Sequence, residues 1–145
     1  MKQQVRLIIA VVAVVAITAM ILTGAKQKVL TIGDQVPDFR ATDLEGNYFF
    51  FNDFRSKVVL VNFSATWCTY CLEELPYLEQ LKQKFEDQGL VVVTVFQDPQ
   101  NINVIREIKA KNLVTFPFVT DTEERVFKLF GVRALPYSVI IDRNS

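Results

Sequence analysis

Two runs of apolar, mostly β-branched residues on either side of an amphipathic segment constrain the fold of this chain more than any other feature. The runs cover 58–63 and 90–96, and their continuity is typical of strands buried on both faces of a sheet. Between them, apolar residues recur every three or four positions over 72–85, and Gly89 ends the segment. This period predicts a helix with one apolar face, which Pro76 should kink.

The rest of the chain repeats these two periods. Further strands are predicted at 39–43, 47–51, 116–120 and 138–141, and further helices at 101–111, with Asn101 as N-cap, and at 123–130. The first two strands flank Leu44-Glu45-Gly46 and should form a hairpin. Alternating strands and helices predict an α/β fold in which at least part of the sheet is parallel.

The N-terminal segment 7–25 is almost entirely apolar. As a helix it would span roughly 28 Å, about the thickness of the bilayer's hydrocarbon core. We therefore predict a membrane anchor or signal peptide over 1–25, a linker over 26–36 and the folded domain over 37–145. Thr23-Gly24-Ala25 is a fair cleavage site for the signal-peptide alternative, and a buried core helix is a further alternative.

Composition excludes several classes of chemistry. The 145 residues include no histidine, which removes Ser-His-Asp and Cys-His catalytic groups and histidine metal ligands. Two cysteines are too few for a four-cysteine zinc or iron–sulfur site. The 16 basic and 16 acidic residues cancel, so no nucleic-acid partner is predicted. Carboxylates, hydroxyls and two sulfurs remain, and no cofactor or metal is expected.

The two cysteines lie at the junction between the first buried strand and the helix, as Cys68-Thr69-Tyr70-Cys71. Unpaired N–H groups and the helix dipole favour a thiolate there. We expect Cys68 to be an exposed nucleophile of low pKa and Cys71 to be the buried, resolving thiol. A purely structural disulfide would close too small a loop to stabilise much. Haem attachment would need histidine where Leu72 stands.

Three separated motifs resemble the TlpA/ResA group of thioredoxin-like proteins. They are the active-site stretch 61–76, the upstream segments 33–39 and 44–46, and the downstream loop 131–136 with the strand after it. The resemblance covers about 33–142. It implies a thioredoxin-like fold, with a mixed sheet flanked by helices, an N-terminal hairpin and a helix–strand insertion over 101–120. The group's domain continues with a turn, a last strand and a C-terminal helix, which we expect to be missing here after Ser145.

The resemblance also implies roles for particular residues. Leu135 and Pro136 would form a cis peptide bond against the cysteine turn, with the Leu135 backbone pairing with a substrate peptide. Glu74, on the cysteine face of the helix, would tune the thiols or move protons; otherwise it is a solvated first-turn glutamate. Trp67 would shield Cys68 and contact substrate, or else serve only in packing.

The predicted function is therefore thiol–disulfide exchange by an exported domain that uses a Cys68–Cys71 disulfide and no bound cofactor. The resemblance implies reduction of exported proteins such as apocytochrome c, with electrons from a membrane thiol reductant. Such a protein would be a single-pass membrane protein facing outward, or secreted or periplasmic after signal cleavage. Alternatives are a thiol oxidase or isomerase, a peroxidase, although Pro-x-x-x-Thr is absent before Cys68, and an inactive binding module.

Overall fold

A computed structural model describes residues 2–22 and 29–144 of the chain. From Val58 onward, strands and helices alternate along the sequence, as the periods predict. In chain order the elements are α1 (Lys2–Leu22), β1 (Arg40–Asp43), β2 (Tyr48–Phe50), β3 (Val58–Ser64), α2 (Thr69–Phe85), β4 (Leu90–Phe96), α3 (Ile102–Lys111), β5 (Phe118–Thr120), α4 (Arg125–Leu129) and β6 (Tyr137–Ile141).

The strands form one mixed six-stranded sheet in the order β2-β1-β5-β4-β3-β6. The central strands β3, β4 and β5 are parallel, whereas β1 and β6 run antiparallel to their neighbours. The hairpin is confirmed as β1 and β2, whose turn contains Gly46 at φ +91°. The insertion is confirmed as α3 and β5, which follow β4 in the chain, and β5 extends the sheet beside β4.

The central strand β3 separates two hydrophobic clusters, because successive side chains point to opposite faces. Phe63 packs on one face with α4, its ring centroid 4.9 Å from that of Phe127. Leu60 belongs to the cluster on the other face, which includes residues of α2 and α3 such as Leu75 and Ile105. Burial on both faces confirms the interpretation of the β-branched run and places the end of β3 rigidly next to α2.

Most predicted element boundaries shift by one to three residues in the structure, while the predicted N-cap of α3 is confirmed in position. Helix α2 begins at Thr69, three residues early, because Cys68 already occupies its N-cap position. Asn101 lies at the N-cap of α3 as predicted but makes no side-chain capping bond, and its NH₂ group donates to Asp98 and Thr66. Strand β5 begins only at Phe118, after Pro117, which has no N–H to donate to a ladder.

Helix α1 presents apolar side chains such as Ile9, Val12 and Ile17 in exposed positions, which does not fit the alternative of a buried core helix. Across 2–22 and 29–144, no helix is both long and apolar enough to cross a membrane. The predicted span 7–25 runs past Leu22, so its last residues lie outside the described residues. The boundaries at 25 and 36 remain predictions.

The second half of the predicted linker packs against the domain. The Leu30 N–H donates to the Leu129 carbonyl over 2.8 Å, and Val36 is buried in the hydrophobic cluster around Phe63. The chain is therefore already attached to the core several residues before position 37.

Candidate active site

The two cysteines form a disulfide at the N-terminus of α2. Its S–S distance is 2.04 Å and the two Cα atoms are 5.3 Å apart. Strand β3 ends at Ser64, three residues form a loop, and Cys68 is the N-cap of the helix, where its sulfur accepts a hydrogen bond from the Cys71 N–H over 3.3 Å. The predicted pair therefore forms, and the helix N-terminus presents an N–H group to the first sulfur.

The expected exposure of Cys68 is wrong for the disulfide form. Cys68 is only 7% exposed and Cys71 is completely buried. Ala65 belongs to the same buried cluster, and Leu135 packs against it. The order of accessibility still agrees with the predicted roles, because the sulfur that must meet a substrate is the less buried of the two.

The loop before β6 lies against the disulfide. The Leu135–Pro136 peptide bond is cis, as the resemblance implied, and Leu135 is half-buried while Pro136 is exposed. Pairing of Tyr137 with Phe63 in β3 holds this loop beside the end of the strand that leads to the cysteines. The arrangement brings the predicted substrate-binding residues Leu135 and Pro136 to the cysteine turn.

Two exposed aromatic residues adjoin the cysteines in the sequence. Trp67 is 69% exposed and Tyr70 is 74% exposed, so neither belongs to the core. Simple packing therefore does not explain Trp67. An aromatic face next to Cys68 offers a contact surface for an apolar client segment.

Glu74 is bonded to the sheet beneath the cysteines. The Asn62 amide donates to Glu74 Oε1 over 2.5 Å and to Ser138 Oγ over 3.2 Å, and the Thr94 hydroxyl donates to Asn62 Oδ1 over 3.2 Å. Asn62 and Thr94 are fully buried and Glu74 is half-buried. Glu74 is thus more than a solvated first-turn glutamate, and it lies one helical turn from Cys71.

Sequence reasoning missed Asp98, which holds the loop before the nucleophile. This buried carboxylate accepts from the Thr66 N–H over 3.2 Å, from the Thr66 hydroxyl, and from the Asn101 amide over 3.0 Å. Thr66 is two residues before Cys68, so Asp98 helps to set the position of the turn. The available signal was an Asp-Pro pair two residues after the end of a buried strand, at the edge where β3 also ends.

In 2–22 and 29–144, no group of three or more acidic or cysteine side chains is arranged to hold a metal ion. The absence of a cofactor remains a prediction. The chemistry of the described site lies in its disulfide.

A disulfide at the start of a helix, after a buried strand and beside a cis-proline loop on a mixed sheet, defines a thiol–disulfide oxidoreductase of thioredoxin-like fold. A sequence profile of the AhpC/TSA family matches 32–145. The chain belongs to this family, and among its members it groups with the thiol-disulfide oxidoreductases named ResA.

Two ResA relatives illustrate the match. The chain is 35% identical over 120 residues to the ResA of Bacillus cereus, a match that covers 83% of this chain and 69% of the relative. It is 33% identical over 150 residues to the ResA of Geobacillus kaustophilus, covering 99% of this chain and 86% of the relative. These similarities confirm the predicted enzyme class.

Solved structures confirm the thioredoxin-like fold. A protein of Chlorobium tepidum designated thiol:disulfide interchange protein DsbE superposes with a TM-score of 0.73 at 30% identity, covering 79% of this chain and 80% of that one. The thioredoxin domain of a thiol-disulfide oxidoreductase of Bacteroides vulgatus superposes with a TM-score of 0.70 at 26% identity, covering 79% and 83%.

Proposed function

We propose that this oxidoreductase works as a reductase of disulfides in exported proteins, with apocytochrome c as the representative client. The observation that supports this proposal is the Cys68–Cys71 disulfide at the start of α2, flanked by the cis Leu135–Pro136 loop and by the exposed Trp67. A redox-active sulfur pair beside an exposed aromatic and a peptide-binding loop suits a protein client.

The reaction starts from the reduced form. The Cys68 thiolate attacks one sulfur of the client disulfide, so a Cys68–client bond forms while the client's own S–S bond breaks and its other sulfur leaves as a thiolate that takes up a proton. The Cys71 thiolate then attacks Cys68 Sγ and releases the client as a dithiol. Two electrons pass to the client, and the enzyme returns to the disulfide state. A membrane-bound dithiol reductant regenerates it by the same exchange in reverse.

Three residues assist this exchange. Trp67 and the Leu135 backbone bind the client segment next to Cys68. Glu74 exchanges protons with the sulfurs, a role that no histidine can take in this chain.

The proposed location is the outer side of a membrane, with 7–25 as the anchor. The nearly unbroken apolar run and the exposed apolar side chains of α1 support it. Export also places the cysteines where disulfides of clients persist.

Trapping of a client tests the function directly. In the full chain, Cys71→Ser leaves Cys68 able to attack but removes the resolving thiol, so reduced C71S mixed with disulfide-form apocytochrome c should form a covalent complex that dithiothreitol releases. Cys68→Ser is the matched control and should form none. Gel mobility without reductant and mass spectrometry measure the complex.

Failure of C71S to form any complex would contradict the proposal. Release of oxidised rather than reduced client by the wild-type protein would instead identify an oxidase. Turnover of hydrogen peroxide with a thiol donor would identify the peroxidase alternative.

A further inference from the structure

The buried hydroxyl of Ser64 has no role in the thiol–disulfide exchange described above. Ser64 is the last residue of β3, its exposed fraction is zero, and its Oγ has no hydrogen-bond partner within 2–22 and 29–144. The neighbouring buried polar side chains Asn62 and Thr94 are both bonded. A buried donor without a partner is costly, so such a group in a native fold calls for an explanation.

The direction of the Ser64 side chain follows from its neighbour in the strand. Side chains two residues apart share a face of a strand, and Asn62 points at α2, where it contacts Glu74. Ser64 therefore also faces α2. Its partner in β4 is Phe96, which is fully buried and belongs to the cluster on that same face.

The register between β3 and α2 places Ser64 opposite Cys71. The helix connects two parallel strands and so runs antiparallel to β3. Two residues along the strand from Asn62 to Ser64 advance about 6.7 Å. Three residues back along the helix from Glu74 to Cys71 move about 4.5 Å the same way and keep the same helix face. Cys71 is fully buried, as is Ser64.

We infer that the Ser64 hydroxyl donates a hydrogen bond to the Cys71 sulfur when the protein is reduced. In the disulfide form this sulfur is uncharged and at most a weak acceptor, and the Ser64 hydroxyl is without a partner among the described residues. Cleavage of the S–S bond leaves a buried thiol or thiolate on Cys71, and a thiolate is a strong acceptor for a nearby hydroxyl. Reduction then satisfies the donor, and reoxidation leaves it unpaired again.

This bond makes Ser64 a determinant of the redox potential. It stabilises the reduced form relative to the disulfide and holds the resolving thiolate in place for its attack on Cys68. The inference rests on thiol–disulfide exchange at Cys68 and Cys71 alone, and neither the client nor the direction of electron flow enters it.

Equilibration of the full chain with glutathione tests the inference. Two glutathione thiols reduce the Cys68–Cys71 disulfide, two electrons and two protons pass to the cysteines, and one glutathione disulfide forms. Ser64→Ala should lower the equilibrium constant for reduction about tenfold, a shift of about 30 mV to more negative potential for a two-electron couple. Ser64→Thr, which keeps the hydroxyl, should restore the wild-type value within about twofold. The exposed Ser56→Ala is the matched control and should leave it unchanged.

A second measurement separates this role from packing. Thermal unfolding of the reduced and oxidised forms should show that Ser64→Ala destabilises the reduced form relative to the oxidised one, whereas a packing defect lowers both equally. An unchanged potential in S64A, or a shift in S64T as large as in S64A, would overturn the inference. Failure of C71S to trap a client would refute the proposed function and leave this result intact.

Discussion

The side-chain amide of Asn62 determines how the Glu74 carboxylate is held near the cysteines. Its NH₂ group donates both to Glu74 and to Ser138, and its oxygen accepts from Thr94. Both the donor group and the acceptor of this buried side chain are therefore hydrogen-bonded. An aspartate at this position would place a second negative charge beside Glu74 and disfavour the ionised state of one of them. With asparagine, Glu74 is the one carboxylate in this hydrogen-bonded group.

We predict that Glu74→Gln slows disulfide exchange with a client by at least about tenfold, because positioned acid–base groups typically contribute 10²–10⁴-fold to a rate. The substitution keeps the size of the side chain and an acceptor for Asn62, so folding should be retained. The exposed neighbour Glu73→Gln is the control, and an equal loss in E73Q would contradict the role.

Helix α2 is attached to the rest of the domain at two places. Near its start it carries the disulfide and the Asn62–Glu74 bond, and in its second half the buried Glu79 accepts from the Thr115 N–H over 2.9 Å and the Thr115 hydroxyl over 2.7 Å. Thr115 lies between α3 and β5, so Glu79 ties the insertion to the catalytic helix.

Glu79 makes this attachment pH-dependent. Burial by itself would raise the pKa of Glu79, but hydrogen bonds from Thr115 and Gln83 outweigh it, and the pKa is lowered from its usual 4.5. Because the folded-state pKa is below the unfolded value, the ionised carboxylate stabilises the fold above about pH 4.5. This contribution is lost as the pH falls through the lowered folded-state pKa.

We therefore predict that Glu79→Gln lowers the free energy of unfolding at pH 7 by about 1.5–3 kcal/mol, the range for hydrogen bonds to a charged group. The difference from wild type should shrink when the pH is taken below 4.5. Urea unfolding at several pH values measures both. Glu107→Gln, on the exposed side of α3, is the control, and a pH-independent difference for E79Q would refute the assignment.

Across the whole molecule, the sheet topology gathers the site at one edge. Strands β3 and β4 are parallel, so the loops after both strands lie together, and Asp98 after β4 can hold Thr66 after β3. The antiparallel β6 starts at the same edge, which brings Pro136 to the cysteines. Helix α1 adds a separate apolar segment to this domain.

We predict that the full chain remains in the membrane pellet after alkaline carbonate extraction and retains its N-terminus by intact-mass measurement. Ala16→Lys places a charge at the middle of the predicted span, which typically costs about 2.5–3.5 kcal/mol on insertion, and should shift the chain to the soluble fraction. A wild-type chain that is soluble but intact would disprove the anchor. A shorter soluble product would identify a cleaved signal peptide.

Local sequence patterns determined the elements and the reactive pair, because the period of apolar residues and the position of Cys68 and Cys71 at a strand–helix junction act over a few neighbouring residues. The tertiary structure alone decided how that pair is surrounded. The partners of Asn62 lie 12, 32 and 76 residues away, and Asp98 reaches 32 residues back to Thr66. The burial of Cys68 and of the unpartnered Ser64 hydroxyl likewise depends on how the elements pack together, which no local period specifies.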